Sequence, residues 1–240
     1  MRMPGVFRCA LARLAKLLMY PSRLLRFPRN EPIPAVVSHL YGFFYLLPQG
    51  LVREATAELE RALKTDPLNV ECATQLAVCY WSAERKEEAL RQFRQAMELD
   101  ENFWLALFVQ AIFHATEGRV EQSLALAERA YAIAPTNPSS VGLISGLLRR
   151  TGDLKRSERY LQELGDGNGC GAPLGFLIFH SVQLEYDKCA DWAEKAIEQR
   201  DPNVLPATSG PNRKPLIATG RWPALARLLK LPETATGQSA

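Results

Sequence analysis

The sequence predicts an all-α fold, a right-handed α-solenoid of about five helix pairs closed by a C-terminal capping helix, and three observations carry that prediction. Pro67, Glu101 and Pro135 recur every 34 residues and close three similar helical pairs. Small residues recur at the same period, as Ala55, Ala89, Ser123 and Ser157, and as Ala62, Ala96 and Ala130 with the larger Leu164 in the fourth row. Leu59, Phe93, Ala127 and Leu161 lie between them, and a second column holds Ala77, Ala111 and Ser145, each four residues after Ala73, Leu107 and Val141. Spacings of three, four and seven are the helical period, and no stretch alternates with the period of two that a half-buried strand requires.

The elements follow in chain order. Residues 5–20 read as a helix ended by Pro21, with Phe7, Leu11, Leu14 and Leu18 on one face and Arg8, Arg13 and Lys16 on the other. Three readings compete for this basic amphipathic segment: a helix lying on an anionic membrane surface, a cap on the first repeat, or a degraded targeting segment. Charges interrupt its apolar stretch every few residues, which fits neither a membrane span nor an ordinary secretory signal. Pro28 to Pro34 holds three prolines in seven residues and reads as a linker. Five pairs follow: 35–47 with 51–65, 69–82 with 86–99, 103–116 with 120–133, 137–150 with 153–164, and 172–184 with 187–200. In the first, Gly42 takes the place of the small contact residue, and Leu47-Pro48-Gln49-Gly50 lengthens the turn. Gly118 and Gly152 share a column as breakers between paired helices. The glycine-rich stretch 165–171 reads as a joint before the last pair, because no strand precedes it and no GK[ST] follows, so neither phosphate-loop fingerprint fits. Residues 201–220, rich in Pro, Asn and Thr, read as an irregular loop. Arg221 to Lys230 then forms a short helix whose Trp222, Leu225, Leu228 and Leu229 cover the open end of the array. The chain thus divides into a basic N-terminal segment (1–30), the array (31–200), and a loop, capping helix and flexible tail (201–240).

A 34-residue helix-turn-helix unit with small-residue contacts and a closing Pro resembles the tetratricopeptide repeat, and the resemblance covers roughly residues 34–200. The physics of the period points the same way. One helical pair cannot bury its own apolar face, so units stack and share a continuous core.

Charge and thiols limit the function classes. The net charge of +3 hides seven basic and no acidic residues in positions 1–30, which leaves 22 basic against 26 acidic side chains in the remainder. A mildly acidic array is a poor surface for nucleic-acid phosphates. Cys9, Cys72, Cys79, Cys170 and Cys189 show no paired CxxC spacing, and Cys72 and Cys79 lie about 10 Å apart along one helix, too far for a disulfide. They read as small buried apolar residues of a reducing compartment rather than metal ligands. His39, His114 and His180 fall in separate repeats, the latter two in the packing column of Tyr80, and no nucleophile, carboxylate pair or ligand spacing converges on them. The expectation is no catalytic residue, no metal, no cofactor and no enzyme activity.

What a solenoid offers is a concave face lined by the first helix of each pair. Projecting the family's groove positions gives Glu71, Thr74, Gln75, Val78, Trp81 and Ser82 in the second unit. The third gives Leu105, Phe108, Ile112 and Thr116, and the fourth Gly142, Gly146, Arg149 and Arg150. The Lys and Asn with which chaperone-tail receptors of this family hold a carboxylate are missing. The lining suits an extended peptide or amphipathic helix of a partner protein, with Trp81 and Phe108 as anchors; the competing reading is that both pack against neighbouring repeats.

Three passages carry a finer resemblance: Tyr45 to Leu51 with Glu58 to Pro67, Asn102 to Ala106, and Ala190 to Pro202 with Arg221-Trp222-Pro223-Ala224 and Leu231-Pro232. Together they resemble the C-terminal repeat regions of bacterial signalling proteins, where repeats follow a kinase, a cyclase or a winged-helix DNA-binding domain. The expected function is a non-enzymatic, cytoplasmic protein-interaction scaffold that binds a peptide or helix in its concave groove, in bacterial signalling. The alternative is a membrane-peripheral accessory protein anchored by residues 5–20.

Overall fold

The computed structural model describes residues 34–232 of the 240-residue chain. The expectation for residues 5–20 therefore lies outside the described residues. Among the described residues there are thirteen α-helices and no strand. The first pair is α1 (Ala35–Tyr41), continued by a π-helical turn (Gly42–Leu46) and a 3-10 turn (Leu47–Gln49), with α2 (Val52–Thr65). Four further pairs follow: α3 (Val70–Ser82) with α4 (Lys86–Leu99), α5 (Trp104–Thr116) with α6 (Val120–Ile133), α7 (Pro138–Arg150) with α8 (Leu154–Glu163), and α9 (Ala172–Val182) with α10 (Tyr186–Glu198). Short segments close the chain: α11 (Val204–Thr208), a 3-10 turn (Gly210–Asn212), α12 (Arg213–Ala218) and α13 (Trp222–Leu228). This is an α-solenoid, and paired helices make its most extensive contacts along with those between successive first helices at the C-terminal end.

The recurring columns are the seams. Ala55, Ala89 and Ser123 are fully buried, as are Leu59, Phe93, Ala77 and Ala111. Where Ser replaces Ala in a seam, its hydroxyl finds a carbonyl on the paired helix: Ser123 Oγ donates to Ala111 O at 2.7 Å and Ser145 Oγ to Ser157 O at 2.8 Å. A buried polar atom is thereby satisfied at no cost in volume. Starts are capped by Asn69, Asn137 and Asp153, whose side chains accept from Cys72 N, Ser139 N and Arg156 N. Gly118 and Gly152 carry φ of +76° and +87° in the turns between paired helices, a conformation glycine adopts without strain, while Glu84 and Leu184 adopt it with side chains attached.

Two glycine clusters prove to be packing devices. A Cβ on Gly142 would lie 1.9 Å from Gly175 O, so α7 and α9 cross backbone to backbone. One on Gly146 would lie 2.2 Å from a Val182 methyl. These two positions, projected from sequence onto the groove, are helix contacts instead. In the 165–171 stretch, Gly167 has φ of +76° and a Cβ there would strike the Trp192 ring at 2.4 Å, a ring that itself stacks on Phe176 at 4.3 Å. Those glycines answer to a packed turn. Gly42 does act as the first unit's small contact, facing Leu59 and the Ala55 carbonyl.

The largest departure from the sequence reading is at residues 201–220. Instead of an irregular loop, this stretch forms α11, a 3-10 turn and α12, and it runs back across the first helices of the pairs to the first unit. Beyond it α13 packs on α10 as the expected cap, with Trp222 and Leu225 fully buried but Leu228 turned to solvent.

Candidate functional site: the concave groove

The first helices of the pairs converge tightly, and a single arginine joins three of them. Arg150 Nη1 donates to Ala115 O at 2.8 Å and to Val182 O at 3.2 Å, so a side chain at the end of α7 caps the terminal carbonyls of α5 and α9. Arg149, exposed on the same turn, lies over the Phe179 ring at 5.7 Å. The two guanidiniums point to different tasks.

The strand of chain from Val204 to Ala218 occupies the inner face. Gly210 is seated against α3, where a Cβ would come within 3.0 Å of Ser82 Oγ and 3.5 Å of Val78 Cγ1. Ser181 on α9 donates to Asn212 Oδ1 at 2.9 Å, and Asn212 in turn donates to Ala207 O at 2.7 Å. Arg213 reaches furthest: its Nη1 donates to Pro48 O at 2.7 Å, and its guanidinium is packed between the Trp222 ring, 4.8 Å away, and the left-handed Gly50. A Cβ on Gly50 would meet that guanidinium at 2.9 Å, which is a second reason, besides φ of +80°, for glycine there. The turn Leu47–Gly50 and the Arg221-Trp222 passage, far apart in sequence, are thus joined through Arg213.

The projected groove residues differ in how they are presented. Val78, Phe108 and Ile112 are 8%, 8% and 9% exposed, and Phe108 and Ile112 belong to the buried cluster that also holds Val204, Leu216 and Trp222. Leu105 is half-buried against the same cluster. Thr74 is buried and donates to Val70 O at 2.8 Å. Gln75 is buried too; its amide donates to the exposed Glu71 at 3.1 Å, and its carbonyl faces His39 Nε2 at 2.6 Å, so His39 is the donor there. Burial holds the His39 pKa below the ordinary histidine value, although Gln75 and Glu71 pull it the other way.

Of the fourteen projected positions, Trp81, Ser82 and Thr116 line the open part of the groove. A cleft of about 470 Å³ remains between the C-terminal ends of α3 and α5, Tyr186, and the return segment. Trp81 is the largest apolar side chain of its lining, held edge-to-face on Phe113 at 5.3 Å. Pro211 and Pro215 form a wall, and Thr116 stands exposed on the rim. The rim charges are mutually paired, Lys86 with Glu117 at 2.8 Å and Lys214 with Glu84. The cleft therefore combines the Trp81, Pro211 and Pro215 surfaces with a polar and charged rim, the make-up of a site for an amphipathic segment. Tyr186, Pro211 and Pro215 were beyond the sequence reading, because the repeat period carries no information about a segment that returns from outside the array.

Comparison with known proteins agrees with this architecture. The tetratricopeptide-repeat family model matches residues 80–138, and the model of the bacterial transcriptional activator domain matches residues 43–102. Residues 80–138 thus carry the tetratricopeptide repeat, on a fold of stacked helix pairs. Among solved structures it is similar to PilW, described as a widely conserved type IV pilus biogenesis factor, at 20% identity and a TM-score of 0.51, covering 84% of this chain and 88% of that one. PilF of Pseudomonas aeruginosa is similar at 18% identity and a TM-score of 0.51, with 84% and 86% covered. At these identities the likeness is one of fold. No curated protein matches the sequence.

The buried thiols and the three histidines lie in packing contacts. Burial raises the thiols of Cys72 and Cys189 to about 12 and that of Cys79 higher still, so none is a thiolate near neutrality. Cys170 is exposed. His180 Nδ1 meets Glu185 Oε2 at 2.7 Å across the turn between α9 and α10, and burial, ahead of the carboxylate's opposing pull, keeps the ring pKa low. His114 is likewise lowered by burial, edge-on to Phe113. No group of three metal-ligating side chains occurs among the described residues, and no helix there is long and apolar enough to cross a membrane.

Proposed function

We propose that this chain is a non-enzymatic protein-interaction scaffold that binds a peptide or helix of a partner protein in its concave groove, with the Trp81 cleft as the point of attachment. The observation that carries the reading is that a broad aromatic side chain lines a cleft of about 470 Å³ whose rim charges are already paired, at the end of a solenoid face of the kind repeat proteins use for extended ligands. The match of residues 43–102 to a bacterial transcriptional activator domain supports a partner in bacterial signalling. Raised thiols and histidines committed to separate packing contacts support the absence of catalysis.

The test is affinity capture from native lysate with the full chain and its Thr116→Arg variant side by side. Thr116 is exposed at the last turn of α5, where a cation is compatible with the helix dipole, so Arg fills the cleft without disturbing the core. The expected result is a protein retained by the native chain and lost by a variant of unchanged melting temperature. Identical captured sets would contradict the proposal.

A further inference from the structure

The return segment has the build of a ligand more than that of a repeat. Its helical pieces span five, three and six residues, too short to be stable by themselves, and Ser209 interrupts them in extended conformation. Pro206, Pro211 and Pro215 further limit its internal hydrogen bonding. It lies on the inner faces of α3 and α9, the surface a solenoid gives to its clients, and two of its buried apolar side chains, Val204 and Leu216, join the cluster containing Phe108 and Ile112. Its hold on the first units comes from the seating of Gly210 on α3 and the Arg213 bond to Pro48 O; the Lys214–Glu84 pair, with side chains 71% and 69% exposed, adds little. Positive φ at Arg200 and Gly220 marks a turn on each side of it. Beyond the second turn, α13 keeps Trp222, Leu225 and Ala226 fully buried and packs on α10, so the cap has its own anchorage.

We propose that residues 203–218 are a displaceable strap, an intramolecular occupant of the concave groove that a partner's segment of like chemistry replaces. The proposal rests on the groove reading above and names the partner's chemistry: a short, proline-interrupted helical segment with two apolar anchors in the places of Val204 and Leu216. A cation three residues before the second anchor takes the place of Arg213. That cation meets Pro48 O beside Gly50, a turn that presents a bare carbonyl and no side chain to obstruct it. A tethered occupant competes at a high effective concentration, so the strap sets a threshold that only a well-matched segment passes.

The experiment uses the full chain and two readouts. In native-state hydrogen exchange, amides of 204–218 are expected to exchange at least tenfold faster than those of α9 and α10, with α13 remaining protected. Protection equal to that of α9 overturns the strap. In the second readout, Ser82→Cys and Gly210→Cys are combined, since a Cβ at 210 lies 3.0 Å from Ser82 Oγ, within disulfide reach. The probe is a labelled synthetic peptide of residues 203–218. The reduced variant is expected to bind it and the oxidised one to bind at least tenfold more weakly. Equal binding in the two states, or none in the reduced state, overturns the proposal. Failure here with partner loss in the Thr116→Arg capture removes the strap and keeps the scaffold. Rapid strap exchange and redox-gated peptide binding with identical captured sets do the reverse.

Discussion

Replacing Arg213 with Ala tests the joint on which closure of the groove depends. The substitution removes a charged hydrogen bond to Pro48 O at 2.7 Å, a class of interaction worth about 1.5–3 kcal/mol. It also removes the stacking of the guanidinium 4.8 Å from the Trp222 ring, worth about 0.5–1 kcal/mol where partly exposed. Against these stands relief of the desolvation that burial imposes on the cation, visible in a pKa pulled below the ordinary arginine value. The net expectation is about 2–3 kcal/mol, or roughly a 30- to 150-fold rise in opening of the segment. Because the cap is anchored by Trp222 and Leu225 on α10, the loss should be local: amides of α11 and α12 accelerate by that factor while those of α7 change little. Hydrogen exchange read by mass spectrometry provides the assay, with Lys214→Ala as comparator, whose exposed pair with Glu84 should leave exchange unchanged. If Arg213→Ala and Lys214→Ala behave alike, the argument from the buried joint is wrong.

Two further predictions concern the array itself. Gly142→Ala should cost at least about 3 kcal/mol, because a Cβ 1.9 Å from Gly175 O forces α7 and α9 apart. Gly118→Ala, with φ of +76° and open space around it, should cost only the left-handed backbone term of about 1–2 kcal/mol; urea denaturation ranks the two. Stability should also fall in mild acid. His39, His114 and His180 all have folded pKa values lowered by burial, so the unfolded chain binds more protons, and stability present at pH 7 is lost as pH drops below about 6.5 toward the lower folded values. Melting temperatures from pH 7.5 to 5 should show this slope, and His39→Asn should flatten part of it; a flat native profile would contradict the burial argument.

The array was legible because its determinants are local and repeated. Helix bounds read from the 34-residue period agree with the structure to within a few residues, since Ala55, Ala89 and Ser123 report the same seam three times. The first pair is less regular: the stretch read as one helix becomes α-helix, π turn and 3-10 turn before Gly50. The groove was legible only as positions on first helices. Phe108 and Ile112 lie in one buried cluster with Val204 and Leu216, about a hundred residues away, and no periodicity encodes that association. Signals were present, though weak: Arg213 and Leu216 are set among prolines, and the Leu47–Gly50 turn is longer than its counterparts. Those two departures from the repeat turn out to meet.

The most direct measurement of the scaffold reading is site-specific photo-crosslinking in cells, with a benzophenone amino acid in place of Thr116 on the cleft rim or Glu158 on the outer helix α8. Both side chains are exposed, and only the first lines the cleft. The account predicts a discrete protein adduct from position 116 and none from 158. Adducts from 158 alone, or the same adducts from both, would contradict it.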